Sequence, residues 1–180
     1  MKKREDFPKN DRWHYFFKGV NDNSVSELIS TLEANYQASP KTPSVLFVAS
    51  RGGELGLALG FFHWVRFANI PLITVGMGEV ASSGVLMFLS GTKRFVLPDT
   101  HFYFHPGETG ISRKSSPSEG DGLLKSFFYE KQAMHDIVRK ETRISKKKLD
   151  KINESCGTLL DKQLVELGFA DRILTTVNDL

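Results

Sequence analysis

Two adjacent serines, Ser82 and Ser83, stand in the stretch GEVASSG at 78–84. An apolar run, PLITVGM, precedes them and another, VLMFLSG, follows. The pair therefore sits where a strand gives way to a helix. Three uses suit such a place. A serine caps a helix by accepting a hydrogen bond from an orphan backbone N–H. The residues Gly76 to Ala81 also match the G-x-G-x-x-A pattern of a dinucleotide site, with Asp99 downstream for a ribose. Against that use, two strand–helix pairs come before the pattern, and Pro98 ends the next strand just ahead of Asp99. In the third use Ser82 is a nucleophile, which needs a base and a pair of N–H groups for the oxyanion.

The histidines are His14, His63, His101, His105 and His135. His63 lies in an apolar helical run and reads as a core histidine, and His135 as a residue on a helix surface. His101 and His105 flank an aromatic strand, HFYFHP. A strand rises about 3.3 Å per residue, so these two rings stand about 13 Å apart and cannot share one metal. No metal site is expected. The lone cysteine, Cys156, excludes an intrachain disulfide and a cysteine cluster. For the oxyanion, Ser50-Arg51-Gly52-Gly53-Glu54 supplies a glycine turn after the preceding strand. Glycine lets a backbone approach a substrate closely, and ligands of open α/β sheets bind at the carboxyl ends of strands.

The elements that must hold these groups follow from periodicity. HYFFKG (14–19) reads as a strand. A helix follows, with Ser24 and Glu27 spaced as a capping box and Val25, Leu28, Ile29, Leu32 and Tyr36 on one face. SVLFVAS (44–50) and PLITVGM (71–77) have the continuous apolar character of strands buried on both faces. Residues 55–68 and 82–91 read as buried helices, and KRFVLP and HFYFHP as further strands. This alternation predicts an α/β fold with parallel strands and right-handed crossovers. Residues 107–122 read as a mobile loop, followed by a long helix to 143 with a wide apolar stripe. Ser145 caps a short helix, DKQLVEL ends at the C′ glycine Gly168, and ADRILT closes as a strand.

The chain has 180 residues, 40% hydrophobic and 25% charged, with a net charge of +3, which suits one domain with its own core. Basic runs are confined to 2–4 and 146–148, so nucleic acid is not expected as a partner. The start lacks the apolar core of a signal peptide, and no run is long enough to span a membrane. A cytoplasmic protein is the expectation.

Three motifs in order carry a family resemblance. Ser-Arg-Gly-Gly at 50–53, GEVASSG at 78–84 and LPDTHFYFHP at 97–106 together resemble the proteolytic subunit of Clp protease. That family shows S-P-G-G, then G-x-A-A-S-x-G, then L-P and a strand ending in histidine. FFKGVNDNSVSELISTLEANY is similar to its opening strand and helix, and LVELGFADRILT to its closing ones. The resemblance implies a crotonase-like spiral of repeated ββα and βα units forming a single domain over 1–180. Residues 1–12 would be a loose N-terminal segment, and 107–143 a protruding handle of loop and helix. It implies a serine endopeptidase acting on unfolded polypeptides, without a cofactor. Ser82 would be the nucleophile, His105 the general base, and the backbone N–H groups of Gly53 and Ser83 the oxyanion hole. Stacked heptameric rings and an ATP-driven unfoldase partner are also implied.

The chain departs from the family at several points. Arg51 replaces a proline, and the handle loop GISRKSSPSEGD lacks a glycine-rich strand. Nothing near the N-terminus matches the family's axial loops. The third member of the family's triad, an aspartate, falls on Cys156, with Asn153 and Glu154 close by as substitutes. Two other readings keep the fold. One is a weak or inactive member that assembles or binds peptides. The other is an enzyme acting on a coenzyme A thioester through Glu54, Glu79 or Asp99.

Overall fold

The computed structural model describes residues 10–107 and 116–176. A short 3-10 turn, Asn10–Arg12, leads into β1 (Trp13–Phe16) and α1 (Asp22–Ala38). Then come β2 (Ser44–Val48), α2 (Leu55–Phe67), β3 (Leu72–Gly76), β4 (Glu79–Ala81) and α3 (Gly84–Leu89). β5 (Lys93–Val96), β6 (His101–Tyr103) and the long α4 (Pro117–Glu141) follow. The chain continues with α5 (Lys146–Glu154), β7 (Thr158–Leu160), α6 (Asp161–Glu166) and β8 (Arg172–Ile173).

The main sheet has the order β1-β2-β3-β5-β8, and all its pairs are parallel. A second sheet, β4-β6-β7, stands apart, with β4 and β6 parallel and β6 and β7 antiparallel. This is the mixed α/β architecture that the alternation and the resemblance imply. Side chains of β2 alternate between two cores. Leu46 and Val48 join Leu32, Phe61, Leu86 and Phe88 beneath α1, α2 and α3. Val45 and Phe47 face the other way, with Ile73, Val75 and Phe95.

Tertiary partners moved several boundaries. Asn21, not Ser24, caps α1: its side chain accepts from Ser24 N at 3.0 Å, and Ser24 Oγ accepts from Asn21 N at 3.1 Å. Asparagine is as good a cap as serine and comes first in the chain. Glu27 pairs instead with Lys18 at 2.5 Å. Within GEVASSG, Glu79–Ala81 is a strand rather than part of a turn, because β6 lies alongside it. That strand leaves no helix opening at Gly78, so the dinucleotide pattern lacks the geometry it requires. α4 starts within the expected loop, at Pro117, through a capping box of Ser116 and Glu119 with proline in the first turn. The rest of that loop, 108–115, lies outside the described residues, as do 1–9. β7 was not legible as a strand, and β8 is only Arg172–Ile173 within the expected ADRILT.

α4 is held at its far end. Glu141 Oε2 accepts from Arg66 of α2 at 2.9 Å and from Arg94 of β5 at 3.0 Å. Arg94 also donates to the carbonyls of Phe169 and Glu141. Only Ile137 and Val138 of this helix are fully buried. Leu123, Leu124, Phe128 and Tyr129, nearer its start, are exposed.

Candidate active site

Three loop ends converge on Ser82. β4 delivers it, and its N–H donates to the Tyr103 carbonyl of β6 at 3.1 Å. Its own carbonyl accepts from Val85 N at 3.0 Å, opening α3. Ser82 has φ +53, an uncommon left-handed conformation for a residue with a side chain. The sharp reversal turns the chain from strand to helix at one residue and leaves Ser82 half-buried.

The glycine turn after β2 packs directly against it. A Cβ on Gly52 would come within 2.8 Å of both the Ala81 carbonyl and Ser82 Cβ, and within 2.9 Å of Ser83 N. Gly52 has φ +88 and Gly53 φ +151, and a Cβ on Gly53 would collide with the Val20 carbonyl. Both positions therefore need glycine. The Gly52 carbonyl accepts from Val20 N at 2.9 Å, so the Gly53 N–H of the same trans peptide points the opposite way. Ser83 Oγ donates to the Gly53 carbonyl at 3.1 Å, tying the turn to the start of α3. Among the described residues, neither Gly53 N–H nor Ser83 N–H has a protein acceptor. Ser50 Oγ, by contrast, takes the Gly52 N–H at 3.1 Å. Two unspent donors beside a serine are what an oxyanion hole requires.

His105 shares a small cavity of about 30 Å³ with Ser82. Its ring stacks on Tyr103, with centroids 5.8 Å apart and planes 12° from parallel. Its Nδ1 accepts from Gly107 N at 3.2 Å, which puts the proton of the neutral ring on Nε2. No hydrogen bond joins Ser82 to His105 among the described residues. The pair shares a cavity, and a base at Nε2 requires the ring to give up the Gly107 bond.

Of the candidates for a third group, Cys156 is the best placed. Tyr103 pairs with Thr158, and Phe104 N donates to the Gly157 carbonyl at 3.0 Å. The pairing ends there, and His105 and Cys156 are the next residues on the two chains. Cys156 is exposed, with φ +51. Its thiol meets the Tyr103 hydroxyl, and this hydrogen bond, followed by burial and the nearby Glu79 carboxylate, raises the Tyr103 pKa above 10.0. Asn153 is committed elsewhere: its Nδ2 lies 2.9 Å from His135 Nε2. Glu154 is exposed at the end of α5.

The other histidines are arranged differently from the sequence reading. His63 is exposed, because its face of α2 turns away from the sheet. His135 is half-buried and lines the Ser82 cavity, with Asp150 3.9 Å from its Nδ1. Burial lowers its pKa, and Lys131 lowers it further against the opposing pull of Asp150. His101 lies 3.6 Å from Glu79, which also pairs with Arg51 at 3.0 Å. None of Glu54, Glu79 and Asp99 lines the cavity, so the carboxylates wanted for thioester chemistry are not gathered there. Lys131, which the sequence reading did not single out, and His135, which it put on a helix surface, both line the cavity. Phe127, Lys131, Met134 and His135 follow helical spacing, and attention to the polar members of that stripe would have found them.

A sequence model of the family described as Clp protease matches residues 9–177. ATP-dependent Clp protease proteolytic subunit 2 of Treponema denticola is 26% identical over 163 residues, covering 89% of this chain and 80% of that protein. Proteolytic subunit 1 of Corynebacterium jeikeium is 23% identical over 162 residues, covering 89% and 85%. Proteolytic subunit 2 of Treponema pallidum is 27% identical over 147 residues, covering 79% and 71%.

Proposed function

Because the chain belongs to the Clp protease family, a family of serine peptidases, we propose that Ser82 and His105 carry its endopeptidase chemistry. One observation supports this most: Ser82 shares a cavity with His105, and beside it the Gly53 and Ser83 N–H groups have no protein acceptor among the described residues. In the reaction, Ser82 Oγ attacks the substrate carbonyl carbon while His105 Nε2 takes its proton. The oxyanion settles against the two N–H groups. Collapse breaks the C–N bond, His105 returns the proton to the leaving amine, and water then hydrolyses the acyl-enzyme by the same steps.

Family membership carries ring assembly and an ATPase partner in general. We place heptameric, stacked rings and an unfoldase that feeds unfolded polypeptide on the same footing as the site residues. In this scheme the chain is one domain, 107–143 is the handle between rings, and the compartment is the cytoplasm. Among the described residues no helix is long and apolar enough to cross a membrane.

The test is labelling with a fluorophosphonate and location of the modified peptide by mass spectrometry. Modification at Ser82, abolished in Ser82→Ala and slowed about a thousandfold or more in His105→Ala, is the expected result. Absence of labelling in the assembled protein would sink the assignment. A weakly active member is a second reading, favoured by the Gly107 bond to His105 and by a thiol at position 156. It predicts labelling that is slow but still confined to Ser82.

A further inference from the structure

The cavity beside Ser82 has two kinds of wall. Leu55, Phe104, Phe127 and Met134 are apolar, whereas Lys131, His135 and Asn153 bring polar groups. Lys131 is half-buried, and among the described residues it has no ion-pair partner. The neighbouring Glu130 reaches the first turn of α2, its Oε1 lying 3.0 Å from where a Cβ on Gly56 would be. Asp150 lies at His135 and is itself held by Lys146 at 2.7 Å. The Lys131 ammonium is close enough to His135 to disfavour its protonation. The polar end of the cavity thus holds the unpaired Lys131 beside His135, whose own carboxylate neighbours are Asp150 and Asp136.

We propose that Lys131 makes this cavity a pocket for an acidic side chain, so that the enzyme cleaves preferentially after aspartate or glutamate. This rests on Ser82 being the nucleophile. A carboxylate entering the pocket gains the Lys131 ammonium while its methylene stem packs on Met134 and Phe127. An aliphatic side chain desolvates the same ammonium and returns nothing to it. A basic side chain meets a like charge. The order acidic, then apolar, then basic follows. The cavity is small, about 30 Å³, which favours the shorter aspartate over glutamate.

Peptidyl diphenyl phosphonates that differ only in the residue next to phosphorus test this. Aspartate, glutamate, leucine and lysine reagents would be compared on the assembled full chain by their rates of Ser82 modification. A fluorophosphonate without a side chain normalises each variant for the reactivity of Ser82 itself. The acidic reagents should react on the order of tenfold faster than the leucine reagent, the size of a hydrogen bond to a charged group. In Lys131→Met that advantage should vanish, and in Lys131→Glu the lysine reagent should become the fastest. Leucine fastest in the native chain, or an unchanged ratio in Lys131→Met, overturns the pocket while leaving Ser82 as nucleophile. If the fluorophosphonate also fails to modify Ser82, the catalytic assignment falls and the pocket with it.

Discussion

In the proposed assignment Cys156 stands at the position of the family's aspartate, and it has φ +51. Aspartate is several-fold more at ease in that conformation than most side chains. Cys156→Asp should therefore fold at no cost and favour the tautomer with the proton on Nδ1, in place of the Gly107 arrangement. We expect kcat/KM to rise by at least about tenfold, a small part of the roughly ten-thousandfold that a triad aspartate can supply. A fluorogenic peptide assay checks this, and an unchanged rate would mean that Cys156 does not reach the ring. His14 and His135 give a pH prediction. Burial holds both below the ordinary 6.5, aided by Arg12 at His14 and by Lys131 at His135. The unfolded chain then binds protons more readily, so stability is full above pH 6.5 and declines as pH falls toward the folded values. Urea midpoints between pH 7.5 and 5.5 should show that slope, and His135→Gln should flatten it. Ser82, His105 and the glycines were legible because their neighbours in sequence are motif-like. His135 was not, since only the fold of α4 over α5 brings it to the cavity.

The glycine turn and the clamp on α4 make separate demands. Gly52→Ala forces a left-handed alanine into the Ala81 carbonyl and Ser82, costing about 1–3 kcal/mol. It should also slow fluorophosphonate labelling, because the turn that carries Gly53 N–H must move. Labelling at the native rate would mean that this turn is not part of the site. Glu141→Gln removes the carboxylate shared by Arg66 and Arg94. Breaking a fully buried pair costs about 3–5 kcal/mol. Here the guanidinium side chains keep 31% and 13% exposure, so about 2 kcal/mol is expected in chemical denaturation. Helices and buried strands could be read from apolar periodicity. The short strands β4 and β7 could not, because three residues carry no period and their existence depends on β6 lying between them.

For the whole molecule, the exposed Leu123, Leu124, Phe128 and Tyr129 face of α4 is an apolar surface in want of cover. In the proposed assembly, this face lies between rings. Phe128→Glu, at a side chain already 60% exposed, should leave the circular dichroism and melting of the subunit unaltered. It should halve the mass of the particle seen by sedimentation; retention of full size would exclude this face from the contact. The α/β class and the parallel strands were within reach of the sequence, whereas the packing of α4 was not, as a wide apolar stripe fits a neighbour subunit as well as its own core. The same helix that offers Phe128 outward presents Phe127, Lys131 and His135 to the cavity. In the proposed assembly, a contact on its outer half would therefore also set the wall of the Ser82 cavity. Specific activity should then climb with protein concentration, leaving a newly made, dilute subunit harmless to the proteins around it.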